Sequence, residues 1–310
     1  MGSYRTPFEN DVGTGFGEHV RMKSASPLRY PGGKSAMSNL LAQIRKINGF
    51  GSRPIAEPFA GGAGASLLLL YREEASEIYI NDLDPAIYDF WCVVTNQSRP
   101  FIDKLKNTKV DISEWYQQKE IYSKRKRASQ LHRAFATFYL NRCNRSGIII
   151  NGGPIGGVKQ TGKWKIDARF NKDDLQKRCE KIAKYRNRIH ISCRDGIEFI
   201  KSVDAKSVFF FIDPPYFING PKLYLNTLDR QFHINLSNEL KSMQHAAWVL
   251  TYDDCPEIRH MYKSWANIQS FSLRYSAADR RSGQEIMIVP KWMQLPESQK
   301  STSLIWKVTP

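Results

Sequence analysis

Two stretches of this chain combine residue types and spacings that could do chemistry, and each follows a short apolar run. Residues 208–217 read VFFFIDPPYF: five consecutive β-branched or aromatic residues, then Asp213, Pro214, Pro215, Tyr216 and Phe217. The run is that of a strand buried on both faces, and the two prolines forbid the ladder from continuing. A carboxylate and an aromatic ring held outside the carboxyl end of a parallel strand stand where open α/β sheets bind ligands. The same residues equally suit a strand-ending turn in which Asp213 caps a helix and Tyr216 packs in the core.

The second stretch, residues 55–64, reads IAEPFAGGAG and runs into the helical ASLLLLYR. A glycine loop between strand and helix lets a ligand come against the backbone at a helix N-terminus. The next strand, 77–80, ends in Asn81, Asp82, Leu83 and Asp84, so Asp82 lies 21 residues beyond Gly61. That is about the distance at which an acidic residue meets a ribose hydroxyl. Loop and acid together point to a nucleoside-bearing ligand; the alternative is a β–α turn with a surface carboxylate. Residues 27–34, PLRYPGGK, form a tight turn presenting Tyr30 and Lys34 at a helix start. The Gly-Lys-Ser there is not a phosphate-binding P-loop, because Leu28 stands where the first glycine is required.

The elements that must position these groups fit one large α/β domain carrying an insertion, within 310 residues that are 41% hydrophobic. Strands are expected at the start of 55–64 and at 77–80, 189–193, 208–212, 247–251 and 285–289. Helices are expected after 35, with Met37, Leu40, Leu41, Ile44 and Ile47 on one face, from the Asp84-Pro85 cap, and over 171–188 and 256–265. Strands before 90 and after 189 then belong to one doubly wound sheet. The reading divides the chain into a polar tail (1–25), a discontinuous ligand-binding domain (26–94 and 188–295), a mostly helical insertion (95–187) and a C-terminal tail (296–310).

Charge singles out the insertion. The chain carries +16 overall, and residues 101–190 hold 22 Lys+Arg against 8 Asp+Glu, which is +14 of that total. A basic excess confined to one segment is the footprint of a polyanion-binding surface. Lys124, Arg125, Lys126 and Arg127 form a run, and Arg142 and Arg145 mark a polar corner after an apolar helix. The run suits either phosphate contact or a solvated helix face. The glycine-rich INGGPIGGVKQTGKWKI beyond it suits a hairpin or adaptable loop able to enter a DNA groove. Five cysteines without a C-x-x-C pair and six histidines without a pair at ligand spacing predict neither a disulfide framework nor a metal. No apolar run nears membrane-spanning length, and no signal-peptide core is present, so a cytoplasmic protein with no membrane association is expected. No obligatory protein partner is evident.

Four elements thus stand in order: PLRYPGGK, EPFAGGAG, YINDLDP and, after the basic insertion, DPPY. This order resembles the Dam-like, D12-class family of S-adenosylmethionine-dependent DNA adenine-N6 methyltransferases over about residues 27–290, and FYLNRCNRSG is similar to the family's segment before the tetrad. The resemblance implies a Rossmann-like methyltransferase sheet with an inserted target-recognition module, S-adenosylmethionine as cofactor and double-stranded DNA as partner. It implies that Tyr30, Lys34, Glu57, Phe59, Gly61, Gly64, Asp82, Asp195, Gly196 and Asp213 meet the cofactor. It implies that Asp213, Pro214, Pro215 and Tyr216 are the catalytic tetrad. Tyr30 stands where the family often has tryptophan, and the stretch after Arg145 departs from Dam, so Dam's sequence preference does not carry over.

The implied chemistry suits these residue types. The adenine amine is a poor nucleophile because its lone pair is delocalised into the ring. Hydrogen bonds to the Asp213 carboxylate and the Pro214 carbonyl would hold it pyramidal, and Tyr216 would stack on a base taken out of the duplex. Cytosine-N4 methylation needs the same activation; Asp rather than Ser at 213 favours adenine. A nicotinamide-dependent dehydrogenase would share the glycine loop and Asp82 but explains neither DPPY nor the basic insertion. A non-catalytic DNA-binding protein on a methyltransferase scaffold is the rival of another class. Phe217 stays open between core and site.

Overall fold

The computed structural model describes residues 25–29, 34–217, 229–273, 283–300 and 304–307. Among them nine strands form one sheet in the order β3-β2-β1-β4-β5-β7-β6-β9-β8. They are β1 (Ile55–Glu57), β2 (Ile78–Asn81), β3 (Ile189–Ser192), β4 (Phe209–Ile212), β5 (Trp248–Asp253), β6 (Ala266–Leu273), β7 (Gly283–Pro290), β8 (Ser298–Lys300) and β9 (Leu304–Lys307). The first five pair in parallel, and β7 enters antiparallel between β5 and β6. The chain winds outward from β1 to β3, then returns to β4 and winds the other way. This is the expected doubly wound arrangement, and its crevice opens outside the carboxyl ends of β1 and β4.

The helices are α1 (Ser38–Ile47), α2 (Gly64–Tyr71), α3 (Pro85–Asn96), α4 (Ser98–Asn107), α5 (Ile112–Ser123), α6 (Gln130–Cys143), α7 (Lys172–Lys184), α8 (Gly196–Ser202), α9 (Arg230–Ser242) and α10 (Pro256–Tyr262). Strand side chains alternate between faces, and β4 shows what each face meets. Phe209 and Phe211 join an apolar cluster that contains Leu41, Leu67 and Phe90. Phe210 and Ile212 join a second cluster with Phe199, Leu240 and Ile258. Every β4 position is therefore buried, and that is why its sequence is a continuous apolar run. No described helix is long and apolar enough to cross a membrane.

The insertion builds no core of its own. Phe90 of α3 stacks on Phe138 of α6 with centroids 6.0 Å apart, and one cluster runs from Ile78 in the sheet through Phe101 and Phe135 to Leu175 in α7. The helices read from 84 and 171 start where expected. Asp84 caps α3 by accepting the Ala86 N–H at 2.8 Å with Pro85 behind it, and Asn171 caps α7.

Three features differ from the sequence reading. β6 escapes it because ANIQSFSL lacks both a continuous apolar run and clean alternation. Residues 296–310, read as a tail, contribute β8 and β9, which extend the sheet beyond β6. Residues 148–170 form turns, with one bridge, Asn144 to Pro154, where a hairpin was an option. The Gln160 side chain takes the place of a pairing strand: it donates to the carbonyls of Ile155 at 2.8 Å and Gly157 at 2.6 Å, and accepts from Ile166 N at 2.8 Å.

Candidate active site

Asn81 ties together the strand ends that frame the crevice. Its buried amide donates to Pro58 O at 2.9 Å and Arg194 O at 3.0 Å, and its oxygen accepts from Ser192 Oγ and Arg194 N. These bonds join the exits of β1, β2 and β3, so the loops that follow leave from fixed points. Gly61, at φ 47°, is held from two sides: its N–H donates to Asp82 Oδ2 at 2.9 Å, and its carbonyl accepts from Trp91 Nε1 at 2.9 Å. Asp82 Oδ1 accepts the Asp84 N–H. Desolvation pushes the Asp82 carboxyl up to about 7, and the neighbouring Asp84 charge adds to the rise. The glycine loop and the acid are thus in direct contact.

Lys34 and Ser35 come against the same loop from the first element. A Cβ at Gly64 would lie 2.2 Å from Ser35 Oγ, so glycine there is what allows α2 to start beside them. Glu57, at the end of β1, is buried and accepts from Ser66 N at 3.0 Å and also from the Ser66 hydroxyl. Burial raises its carboxyl to about 7. Glu57 thus braces α2 against β1. Tyr30 lies outside the described residues.

Asp213 stands at the end of β4, across the crevice. Two groups hold its Oδ1: the Thr251 hydroxyl at 2.5 Å and the Lys34 ammonium at 3.2 Å. Oδ2 takes no partner among the described residues, and the side chain is 24% exposed, against 5% for Lys34. Pro214 is buried and Pro215 half-buried. Tyr216 donates its hydroxyl to Glu285 Oε2 at 2.6 Å, and Lys34 Nζ sits 4.9 Å from its ring centroid. Asp213 thus accepts from a side chain on β5 and caps no helix among the described residues, against the turn reading. Phe217 is a packing residue, its N–H bonded to Asp253 Oδ1 and its ring edge-on to His233 at 5.2 Å.

Asp195 caps α8, accepting from Ile197 N and Glu198 N through Oδ1 alone. A Cβ at Gly196 would lie 2.3 Å from the Phe59 ring, which meets Phe232 edge-on at 5.9 Å. Phe59 thus lies flat on the backbone between β1 and α8. The crevice offers a glycine loop, carboxylates at Asp82, Asp195 and Asp213, and an aromatic wall at Phe59. Carboxylates suit hydroxyls and a cationic centre, so this donor set fits a cationic nucleoside-bearing ligand.

The basic residues separate into two kinds. Arg142 is a correction to the expected DNA-facing set: it is buried, and its guanidinium donates to Arg169 O and Pro27 O. Desolvation with Arg178 and Arg29 nearby lowers it to about 9. It anchors the insertion to the segment before Lys34. Arg125 pairs with Asp89 at 2.8 Å, which Arg133 also binds at 2.7 Å, and Lys124 pairs with Glu120 within its own helix. Lys126, Arg127 and Arg145 are exposed. The sequence reading missed Thr251 and Glu285; the sign available was a lone polar or acidic residue inside an apolar strand, as in WVLTYD and GQEIMIVP.

A family model described as D12 class N6 adenine-specific DNA methyltransferase matches residues 30–277. The Type II methyltransferase M.MjaIII of Methanocaldococcus jannaschii is 24% identical over 205 residues, covering 61% of this chain and 68% of that protein. Among solved structures, the rRNA methyltransferase aviRa from Streptomyces viridochromogenes aligns over 84% of this chain and 86% of its own, at 13% identity and a TM-score of 0.35.

Proposed function

The chain belongs to the D12 class N6 adenine-specific DNA methyltransferase family, and we propose from this premise that Asp213 and Pro214 hold the target amine while the crevice at Asp82 holds S-adenosylmethionine. The protein is an enzyme, DNA is its substrate, and the family implies a methyl donor. When bound, S-adenosylmethionine supplies a methyl group on a sulfonium, with a neutral thioether as the leaving group.

The observation that carries the assignment is the state of Asp213. Its Oδ1 is committed to Thr251 and Lys34, while Oδ2 has no partner among the described residues and the side chain is 24% exposed. A carboxylate restrained through one oxygen presents the other in a fixed direction, which is preorganised electrostatic stabilisation. Oδ2 accepts one amine hydrogen and the Pro214 carbonyl the other, which turns the nitrogen lone pair toward the methyl carbon. As the N–C bond forms, the amine sheds a proton, and Asp213 is the acceptor in reach. Tyr216 gives the extruded base a face to stack on. Asp82 accepts from the ribose hydroxyls, Phe59, Gly61 and Gly64 line the cofactor, and Asp195 with Gly196 meets its adenine.

The insertion, 95–187, serves as the target-recognition module, with Lys126, Arg127 and Arg145 as its phosphate-facing charges. Residues 26–94 and 188–295 form the catalytic domain. Double-stranded DNA inside the cell is the substrate form. Incubating unmethylated genomic DNA with protein and cofactor, then digesting to nucleosides and sequencing in long reads, tests this reading. N6-methyladenine at one recurring sequence is the expected product; N4-methylcytosine alone, or no methylated base, overturns it.

A further inference from the structure

Glu285 has no part in the reaction as drawn, yet it touches two residues that do. β7 runs antiparallel to β5, and Asp253 pairs with Glu285. The start of β7 is thereby brought to the carboxyl end of the parallel strands, where the crevice lies. The Glu285 side chain is 3% exposed, with Oε2 accepting the Tyr216 hydroxyl at 2.6 Å and lying 3.5 Å from Lys34 Nζ. Lys34 is in turn 3.2 Å from Asp213 Oδ1. One buried ammonium thus sits between two carboxylates, and two hydroxyls, Thr251 and Tyr216, complete the set.

Charge balance gives this arrangement a consequence. A buried ammonium must be compensated. With Asp213 as its sole counter-ion, Lys34 would draw that carboxylate into a full ion pair, and an ion-paired carboxylate accepts more weakly from a third group. A second carboxylate shares the cation and leaves acceptor strength on Asp213. The same Glu285 oxygen fixes the Tyr216 hydroxyl and with it the plane of the ring. Burial raises the Glu285 carboxyl above its ordinary range, with the Asp213 charge adding to the rise and Lys34 and Tyr216 opposing it. Its charge is therefore sensitive to its partners.

We propose that Glu285 is a positioning residue for methyl transfer: it shares the Lys34 ammonium so that Asp213 keeps its acceptor strength for the amine, and it holds the Tyr216 ring in the plane the base stacks on. This rests on the reading of Asp213 and Tyr216 given above.

The test uses the full-length protein and a duplex containing its own mapped site, comparing wild type with Glu285→Gln, Tyr216→Phe and the double variant. Glutamine keeps the size and an acceptor oxygen for Tyr216 but removes the charge facing Lys34. The expected result for Glu285→Gln is a kcat lower by about tenfold or more, with cofactor Kd and DNA KM within about threefold, the split that marks an interaction used in the transition state. The melting temperature stays near that of wild type. The double variant loses about as much as the worse single one, as residues acting as a unit do. A Glu285→Gln protein with wild-type kcat, or one whose loss of kcat accompanies a matching fall in melting temperature, overturns the proposal. A wild-type protein that methylates no DNA overturns the functional reading and the proposal with it, so the two failures are told apart by the wild-type arm.

Discussion

Thr251 donates its hydroxyl to Asp213 Oδ1 at 2.5 Å, across the pairing of β5 with β4. Sheet register therefore sets the direction of the proposed catalytic carboxylate, since each residue is the next step beyond the paired Ile212 and Leu250. Thr251→Val keeps the branched shape and removes the donor. A hydrogen bond to a charged group contributes about 1.5–3 kcal/mol, so single-turnover methylation should slow by roughly tenfold or more with DNA affinity unchanged. Asp213→Ala should abolish transfer and leave DNA binding intact. A Thr251→Val enzyme at wild-type rate would show that register does not aim the carboxylate.

The proposed ribose contact should make cofactor affinity depend on pH through Asp82. Its carboxyl titrates near 7, and a ribose hydroxyl needs the ionised form as acceptor. Binding should tighten as pH rises from about 6 to 8 and release a proton in the lower half of that range. Calorimetry in two buffers of different ionisation enthalpy reads the proton directly. Asp82→Asn should bind more weakly by about 1–3 kcal/mol and show no pH dependence. Equal wild-type affinity at pH 6 and 8 would exclude the ribose contact.

The parts of the site legible in the sequence are those whose geometry is local. Gly61 and Asp82 flank one β-α-β unit, and their spacing led to a contact the structure contains. Asp213 follows an apolar run whose burial on both faces could be read off its composition. A polar residue in each apolar strand marked Glu285 and Thr251 as unusual, but their partners lay beyond such reasoning, because an antiparallel strand and a sheet register bring them to Lys34 and Asp213. Arg142 shows the converse error. Position within a basic segment says nothing about direction, and its helix turns it inward to the carbonyl of Arg169.

Glu57 links the site to stability. Its folded carboxyl titrates at about 7, against an ordinary 4.5, so the folded chain holds a proton that the unfolded chain releases. A group raised in this way stabilises fully below its unfolded value, and the contribution is lost as pH rises toward 7. The shift corresponds to something on the order of 3 kcal/mol. Urea melts of wild type and Glu57→Gln from pH 4 to 8 should differ by a curve that declines through this window and is flat above it. Parallel curves would mean that the carboxyl titrates alike in the folded and the unfolded chain.

Gly196 tests the aromatic wall. An added Cβ would lie 2.3 Å from the Phe59 ring, and rings cannot yield that far without leaving their packing against Phe232. Overpacking of this kind costs about 1–3 kcal/mol. Gly196→Ala should therefore weaken S-adenosylmethionine by roughly tenfold while DNA affinity holds, and wild-type cofactor affinity by calorimetry would place the Phe59 ring outside the cofactor's path.

The basic run 124–127 divides into charges used by the fold and charges left for a ligand. Arg125 pairs with Asp89, a carboxylate 6% exposed, whereas Lys126 and Arg127 are exposed and in no ion pair among the described residues. Each phosphate contact contributes close to one unit to the slope of log affinity against log salt. Lys126→Ala with Arg127→Ala should thus flatten the slope by about 2 and weaken binding alike on all sequences. Arg125→Ala should leave the slope in place and lower the melting temperature, since it withdraws one of two cationic partners from a buried charge. A slope indifferent to all of these changes would assign the run to the helix surface and leave Arg145 as the phosphate-facing charge.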